Sequence, residues 1–540
     1  MYVYPWPLPE RSGNGRRGRI LVACATAALA LILGVGVAWH PAVAASARNS
    51  VTILGPAADS LDPAVQSDAG SAQVVSQLFE SLTAVDSKQH VQPALASSWE
   101  TQDGGKRVVF HLRPGLTFSD GTALTASDVV KSWMRVLDPA HPSPLASLID
   151  GIVGARAYRE GSGPLASVGI HSSGSTDVQV DLTNPAADFP AIVSGPTLAV
   201  VPPNLDSKPS LLKPGGFVGS GAYVLSGLTD TETTLAANPR YWAGKPAITT
   251  VHLLSSTGGK SSVEMFQTGD LDYTPIYSGD ASWVAYDETL GPSLRIEPSP
   301  SVEFYGFNTT KPPFNDVHVR RAFALGIDWR RIVTLLSNPL VVPATGMVPD
   351  GVPGHSATDY GPKFDLAKAK SELAAAGYPS GVGFPKVTLE TGGLDLDAAI
   401  VRQLHDNLGI DISYLALDAG TYDALLGTDP PTFWQMGWVA DYPGANDFLG
   451  ILLGSGQLNN FGRWANDDFD AAVSSALAAS NAATMQQAFD RAQAIVQDQV
   501  PVIPVDFGAG YALAAKGLLG ALPNSQGLVR YAGLAWASGS

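Results

Sequence analysis

An α/β fold spread over more than one lobe is the class this sequence predicts, on three observations. Strand-like and helix-like hydrophobic periods interleave along nearly the whole chain. At 540 residues the chain is too long for one hydrophobic core. Hydrophobic residues make up 45% of it and include 11 tryptophans, so material for more than one core is present.

The elements follow in chain order. Residues 1–44 read as a processing segment. Arg11, Arg16, Arg17 and Arg19 precede an uncharged apolar run from Ile20 to Trp39, and Ala42-Val43-Ala44 fits a small-residue cleavage site. Retained instead, the run is long enough for an N-terminal membrane anchor. Leu21-Val22-Ala23-Cys24 resembles a lipoprotein box, with Cys24 as the lipidated residue, although such a box normally closes an apolar run and this one opens it. Under each reading the bulk of the chain lies outside the cytoplasmic membrane. Val51 to Leu54 then starts a strand, and Leu61-Asp62-Pro63 makes a turn. Val74, Val75, Leu78, Phe79 and Leu82 have helical spacing, whereas Val108, Phe110 and Leu112 alternate as in a strand. Thr125-Ala126-Ser127-Asp128 is a capping box that predicts a helix to about Leu137. Further strands are expected at Val178–Leu182, Val224–Leu225 and Ile248–Leu254. Helices are expected at Val317–Leu325, Asp365–Ala376, Ala398–Leu408 and Met485–Gln499.

Composition narrows the function. The formal net charge is −16, and loss of the basic leader makes the remainder more negative still. Such a surface opposes nucleic acid and anionic lipid. Cys24 is the only cysteine, so the chain beyond the leader has no disulfide, thiolate metal site or cysteine nucleophile. The nine histidines are scattered singly, without a zinc-type pair, and no Gly-x-Ser-x-Gly elbow occurs. Thr257-Gly258-Gly259-Lys260-Ser261 has the flavour of a phosphate loop, but Leu254 stands where that motif needs glycine. A loop after a strand accounts for it better. Carboxylates are plentiful, yet spacing alone singles out no glycosidase-type pair. No enzymatic activity is expected.

The segment Gly437 to Phe448, GWVADYPGANDF, raises a sharper question. Asp441 stands among tryptophan, valine, alanine, tyrosine and proline, where an ionised acid is unfavourable without a partner. A catalytic acid, a metal ligand, half of a structural ion pair and a hook for a bound cation are all open at this point.

Several motifs then match one family in order. Pro93-Ala94-Leu95-Ala96-Ser97-Ser98-Trp99 is followed by Phe110-His111-Leu112-Arg113-Pro114-Gly115 and Thr117-Phe118-Ser119-Asp120-Gly121. Asn238-Pro239-Arg240-Tyr241-Trp242, Pro313-Phe314-Asn315-Asp316-Val317 and Pro501-Val502-Ile503-Pro504-Val505 come later. This series, from about residue 51 to 510, resembles the family 5 extracellular solute-binding proteins of ABC importers, of the dipeptide and oligopeptide type. The resemblance implies a two-lobed, hinged periplasmic-binding-protein-like fold (type II, cluster C). It implies three domains: domain I from 49–92, 217–309 and 506–540, domain II from 93–216, and domain III from 310–505. It also implies a monomeric, extracytoplasmic receptor that hands short peptides to permease subunits with cytoplasmic ATPases. Asp441 aligns with the aspartate of a Trp-x-x-Asp-Tyr segment that meets a peptide's amine. Gly437 and Val439 would then pair with the peptide backbone, and Trp438 and Tyr442 would wall it. Tyr273, Phe304 and Tyr305 would face the ligand from domain I, and Ala69 would add backbone contacts. No cofactor is implied. The arginines that meet a peptide's carboxylate in several members are missing from Asp429 to Met436, leaving Arg402 or Arg463 as substitutes. The same scaffold also accepts haem, nickel chelates, opines and oligosaccharides, and these are the alternative ligands. A secreted hydrolase is the distant alternative.

Overall fold

The computed structural model describes residues 48–540 apart from 337–340, 525 and 538–540, so the leader and Cys24 lie outside the described residues. Among those described, no helix is long and apolar enough to cross a membrane. The expected mixture of strands and helices is present throughout. Local signals explain much of it. Val108, Phe110 and Leu112 are the buried alternate positions of strand Arg107–Leu112. The Thr125 capping box with Asp128 opens helix Ala126–Val136. The Asp365 side chain accepts from Lys368 N–H and starts helix Leu366–Ala375. The helix expected over Ala398–Leu408 is Asp397–Gln403, whose last turn widens into a π turn at Leu404–Leu408.

Two main sheets organise the chain. A four-stranded antiparallel sheet runs Ala96–Gln102, Arg107–Leu112, Asp177–Asp181, Ile170–Ser173. It packs on Trp133, Phe110 and Phe189, which meet at tilted and edge-on angles. An eleven-stranded sheet takes in the rest apart from two small two-stranded ones, and two long strands lie at its centre, Leu294–Phe307 and Val502–Ala514. Their pairing is antiparallel, with a break in register between Pro298 and Val302. On one side of that break the sheet continues through Tyr273–Ile276 and Ser50–Leu54, and on the other through Phe433–Val439 and Thr388–Thr391. The two strands therefore run from one half of the sheet into the other. Beyond the break both faces are covered. Val302, Phe304 and Trp434 belong to one core, while Tyr305, Phe307 and Phe433 belong to another on the opposite face.

Candidate functional site

The site grows from strand Phe433–Val439. Its first residues are covered on both edges, but Thr388–Thr391 pairs only as far as Phe433 and Trp434. Strand Leu294–Phe307 covers the other edge all the way to Val439. The Gln435 N–H, on the side left open, is capped by the Tyr422 hydroxyl at 2.9 Å, which in turn donates to the Gln435 carbonyl. Backbone groups alternate with period two along a strand. The N–H and C=O groups of Gly437 and Val439 therefore face the same open side. Gly437 is exposed and Val439 is 61% exposed, so this stretch is a free strand edge.

Gly437 lies close beneath a carboxylate. A β-carbon there would lie 2.8 Å from Glu303 Oε2. Glu303 is its cross-strand neighbour and accepts a hydrogen bond from Gln435 Nε2. Burial pushes the Glu303 carboxyl up to about 7, with the Gln435 bond opposing the shift. Asp506, opposite Glu303 on the other long strand, is pushed up to about 6 by burial.

The chain then turns. Ala440 N–H donates to the Pro300 carbonyl at 2.9 Å, and Asp441 follows. Asp441 is open to solvent on one side, yet the surrounding protein desolvates its carboxyl enough to raise its pKa. Its backbone is held at both ends: the N–H donates to Asp447 Oδ2 at 3.0 Å, and the carbonyl accepts from Gln526 Nε2 at 3.4 Å. Its carboxylate has no hydrogen-bond or ion-pair partner among the described residues. The structural ion pair that would have made Asp441 ordinary therefore finds no cation here. No group of three or more ligating side chains suited to a metal ion occurs among the described residues either.

The structure brings only part of the expected set together. Gly437, Trp438, Val439 and Asp441 follow one another along the strand edge and the turn after it, with Trp438 half-buried and its indole donating to Asp447 Oδ2 at 2.9 Å. Tyr442 is adjacent but buried, its hydroxyl donating to Asp188 Oδ2 at 2.6 Å. Phe304 and Tyr305 do not face an open site: they are 1% and 0% exposed, and Tyr305 donates to Asp397 Oδ1 at 2.7 Å. The physical reason is that the central strand has a core on each face, so both parities of side chain are buried. Tyr273 is likewise buried, in the core around Val51 and Tyr531. Ala69 is exposed as the first residue of helix Ala69–Leu78, where backbone N–H groups lack intrahelical acceptors. Of the candidate carboxylate partners, Arg402 lies on the surface 3.5 Å from Asp406, and Arg463 is exposed at a left-handed turn. Lys260 of the glycine-containing loop pairs with Asp270, and Ser261 caps the next helix.

Asp447 and Asp188, like Glu303 and Asp506, were given no role by the sequence. Asp447 is 0% exposed, and burial followed by the nearby Asp441 charge pushes it up to about 8. Asp188, from the start of helix Phe189–Ile192, is raised by burial despite hydrogen bonds from Tyr442 and Asn446. Asp188 lies 254 positions from Tyr442, so no local pattern announces their contact.

Comparison with known proteins adds an independent line. The family model described as bacterial extracellular solute-binding proteins, family 5 Middle, matches residues 90–460. The probable deoxycholate-binding periplasmic protein of Escherichia coli is 32% identical over 460 residues, 82% of this chain and 85% of that one. The periplasmic oligopeptide-binding protein of Escherichia coli is 27% identical over 465 residues, 84% of this chain and 85% of that one. Among solved structures, a periplasmic murein tripeptide binding protein in its unliganded open form superposes with a TM-score of 0.81. It is 25% identical, and the match covers 91% of this chain and 97% of that chain.

Proposed function

The chain belongs to the bacterial extracellular solute-binding proteins of family 5, and we propose that it is the peptide-capturing receptor of an ABC importer, acting outside the cytoplasm without a chemical step. One observation carries the reading: a carboxylate without a partner among the described residues, Asp441, stands at the end of a free strand edge, Gly437–Val439. An extended peptide pairs its backbone with such an edge almost regardless of sequence. Its terminal ammonium supplies the cation that the chain withholds from Asp441. Trp438, fixed by Asp447, walls the first side chain. The oligopeptide-binding and murein-tripeptide-binding relatives support peptides as the ligand class.

The relative named for deoxycholate raises a bile-acid anion as the competing ligand. The acids at this site disfavour an anion, because Asp441 has no cation beside it among the described residues and Asp447, Asp188 and Glu303 stand near. In this proposal the division into domains I, II and III has Leu294–Phe307 and Val502–Ala514 as hinge strands, with the break in register after Pro298 as the bending point. Docking to a permease follows from membership of an importer system, and the receptor works as a monomer. Native mass spectrometry of the exported protein, followed by denaturation and sequencing of what is released, tests the reading. Peptides of a narrow length range are expected. A steroid acid, a sugar or haem released without any peptide overturns it.

A further inference from the structure

Asp447 does something that packing alone does not require. Its Oδ2 accepts two hydrogen bonds, from Trp438 Nε1 at 2.9 Å and from Asp441 N at 3.0 Å. One oxygen therefore fixes both the indole wall and the peptide unit that carries the unpartnered aspartate. Its Oδ1 is buried and meets no hydrogen-bond partner among the described residues, in a residue that is 0% exposed. An ionised carboxylate only accepts, so a buried charged oxygen without a donor is far more costly than a neutral one. The groups that face it give no relief. Asp441 lies on the same turn and Asp188 approaches from the start of helix Phe189–Ile192, and both disfavour a further negative charge. The hydroxyl of the neighbouring Tyr442 is committed to Asp188.

We propose that Asp447 is the positioning residue for Asp441: a neutral carboxyl that holds the ammonium-binding aspartate in place and loses its proton to solvent when a cation arrives. The inference rests on the reading of Asp441 as the amine site. In the empty protein the pair then carries one negative charge, on Asp441. A ligand ammonium at Asp441 cancels the Asp441 repulsion, the second cause after burial of the raised Asp447 pKa, while burial itself remains. Asp447 then ionises in part, the released O–H protons pass to the buffer, and the charge on the pair moves from one negative towards two against the incoming positive one. Binding is thereby coupled to proton release near neutral pH, and Trp438 is held throughout by the same oxygen. The direction of the pKa shift at Asp447, upward through burial and Asp441, agrees with this geometry.

Two measurements on the exported chain decide the matter. In the ligand-free protein, the Asp447 carboxyl carbon resonance, assigned by its loss in Asp447→Asn, is expected to titrate above pH 6.5 and to move to lower pH in Asp441→Asn. A midpoint below pH 6.5, or no movement in Asp441→Asn, overturns the proposal. Calorimetry with trialanine at pH 7, in buffers of different ionisation enthalpy, then counts protons. The wild type is expected to release about half a proton more than Asp447→Asn, a difference in which the amine's own protonation cancels. Equal counts overturn the proposal. N-acetylated trialanine, which has no ammonium, is the control. If trialanine binds neither protein, the amine-site reading fails, while the ligand-free titration still decides the state of Asp447. A purely structural Asp447 would leave the proton count unmoved. Asp447→Ala is expected to weaken trialanine at least tenfold, with Asp447→Asn restoring most of the loss.

Discussion

The acids around the four-stranded sheet and the acids around Asp441 are treated in opposite ways. Near the small sheet several have an arginine. Arg135 lies 2.8 Å from both Asp62 and Asp206, Arg159 is 2.6 Å from Asp150, and Arg107 is 2.6 Å from Asp181. At Arg135 burial works against the charge, but the two aspartates outweigh it and its pKa is raised. Around the strand edge, Asp441, Asp447, Asp188, Glu303 and Asp506 meet no lysine or arginine among the described residues, and all five are raised by burial. The chain has basic residues to spend, and it spends them on the scaffold. Completed pairs fix a structure; incomplete ones in a wall with a free strand edge leave work for a ligand.

The contrast can be broken or sharpened by substitution. The largest effect is expected at Asp441. Asp441→Ala removes the only fixed partner proposed for a peptide ammonium and should weaken peptide binding by about 3–5 kcal/mol in calorimetry. Melting should hardly change, since no bond of the carboxylate is lost. On the scaffold side the signs reverse. Arg135→Ala strands Asp62 and should lower unfolding free energy by about 3 kcal/mol in denaturant, leaving peptide affinity in place.

The third test is pH. A carboxyl raised in the folded state holds a proton that the unfolded chain releases. Its contribution to stability is therefore complete below the unfolded value near 4 and is lost as pH rises through the folded value. For Asp506, Glu303 and Asp447 that loss extends up to about 6, 7 and 8 respectively. Denaturant unfolding should show stability falling between pH 5 and pH 8, and Asp447→Asn should remove about 1–3 kcal/mol of that fall. The smallest effect tests the withheld cation. Gln526 already reaches the Asp441 carbonyl, so Gln526→Arg would bring a guanidinium beside the free carboxylate. It should weaken peptide binding about tenfold, or about 1.4 kcal/mol. Unaltered affinity in that variant would argue that Asp441 is not held open for a cation.

Local chemistry was the legible part. The Thr125 capping box, the alternation of Val108, Phe110 and Leu112, and the helix expected over Asp365–Ala376 each depend on neighbours a few residues away, and each appears where its pattern placed it, the last as Leu366–Ala375. Asp441 was legible for a related reason, because its apolar flanks already made an ionised side chain conspicuous. Phe304 and Tyr305 were not legible as core residues. Alternation says that they point to opposite faces, but it cannot say that both faces are covered. Asp447 was visible as the second acid of the segment, yet nothing in its spacing showed that one of its oxygens would hold both Trp438 and Asp441.

The sequence by itself determined the alternation of strands and helices, the family and an acid made conspicuous by apolar neighbours. These depend on contacts along the chain or on an ordered series of motifs. The tertiary structure alone decided where the strand edge becomes free, which aromatics are walls and which are core, and that Asp188 would meet Tyr442 from 254 positions away. Those depend on what packs against each face and edge. A linear pattern carries the period of a strand, whereas only the folded sheet shows which of its sides has been left uncovered.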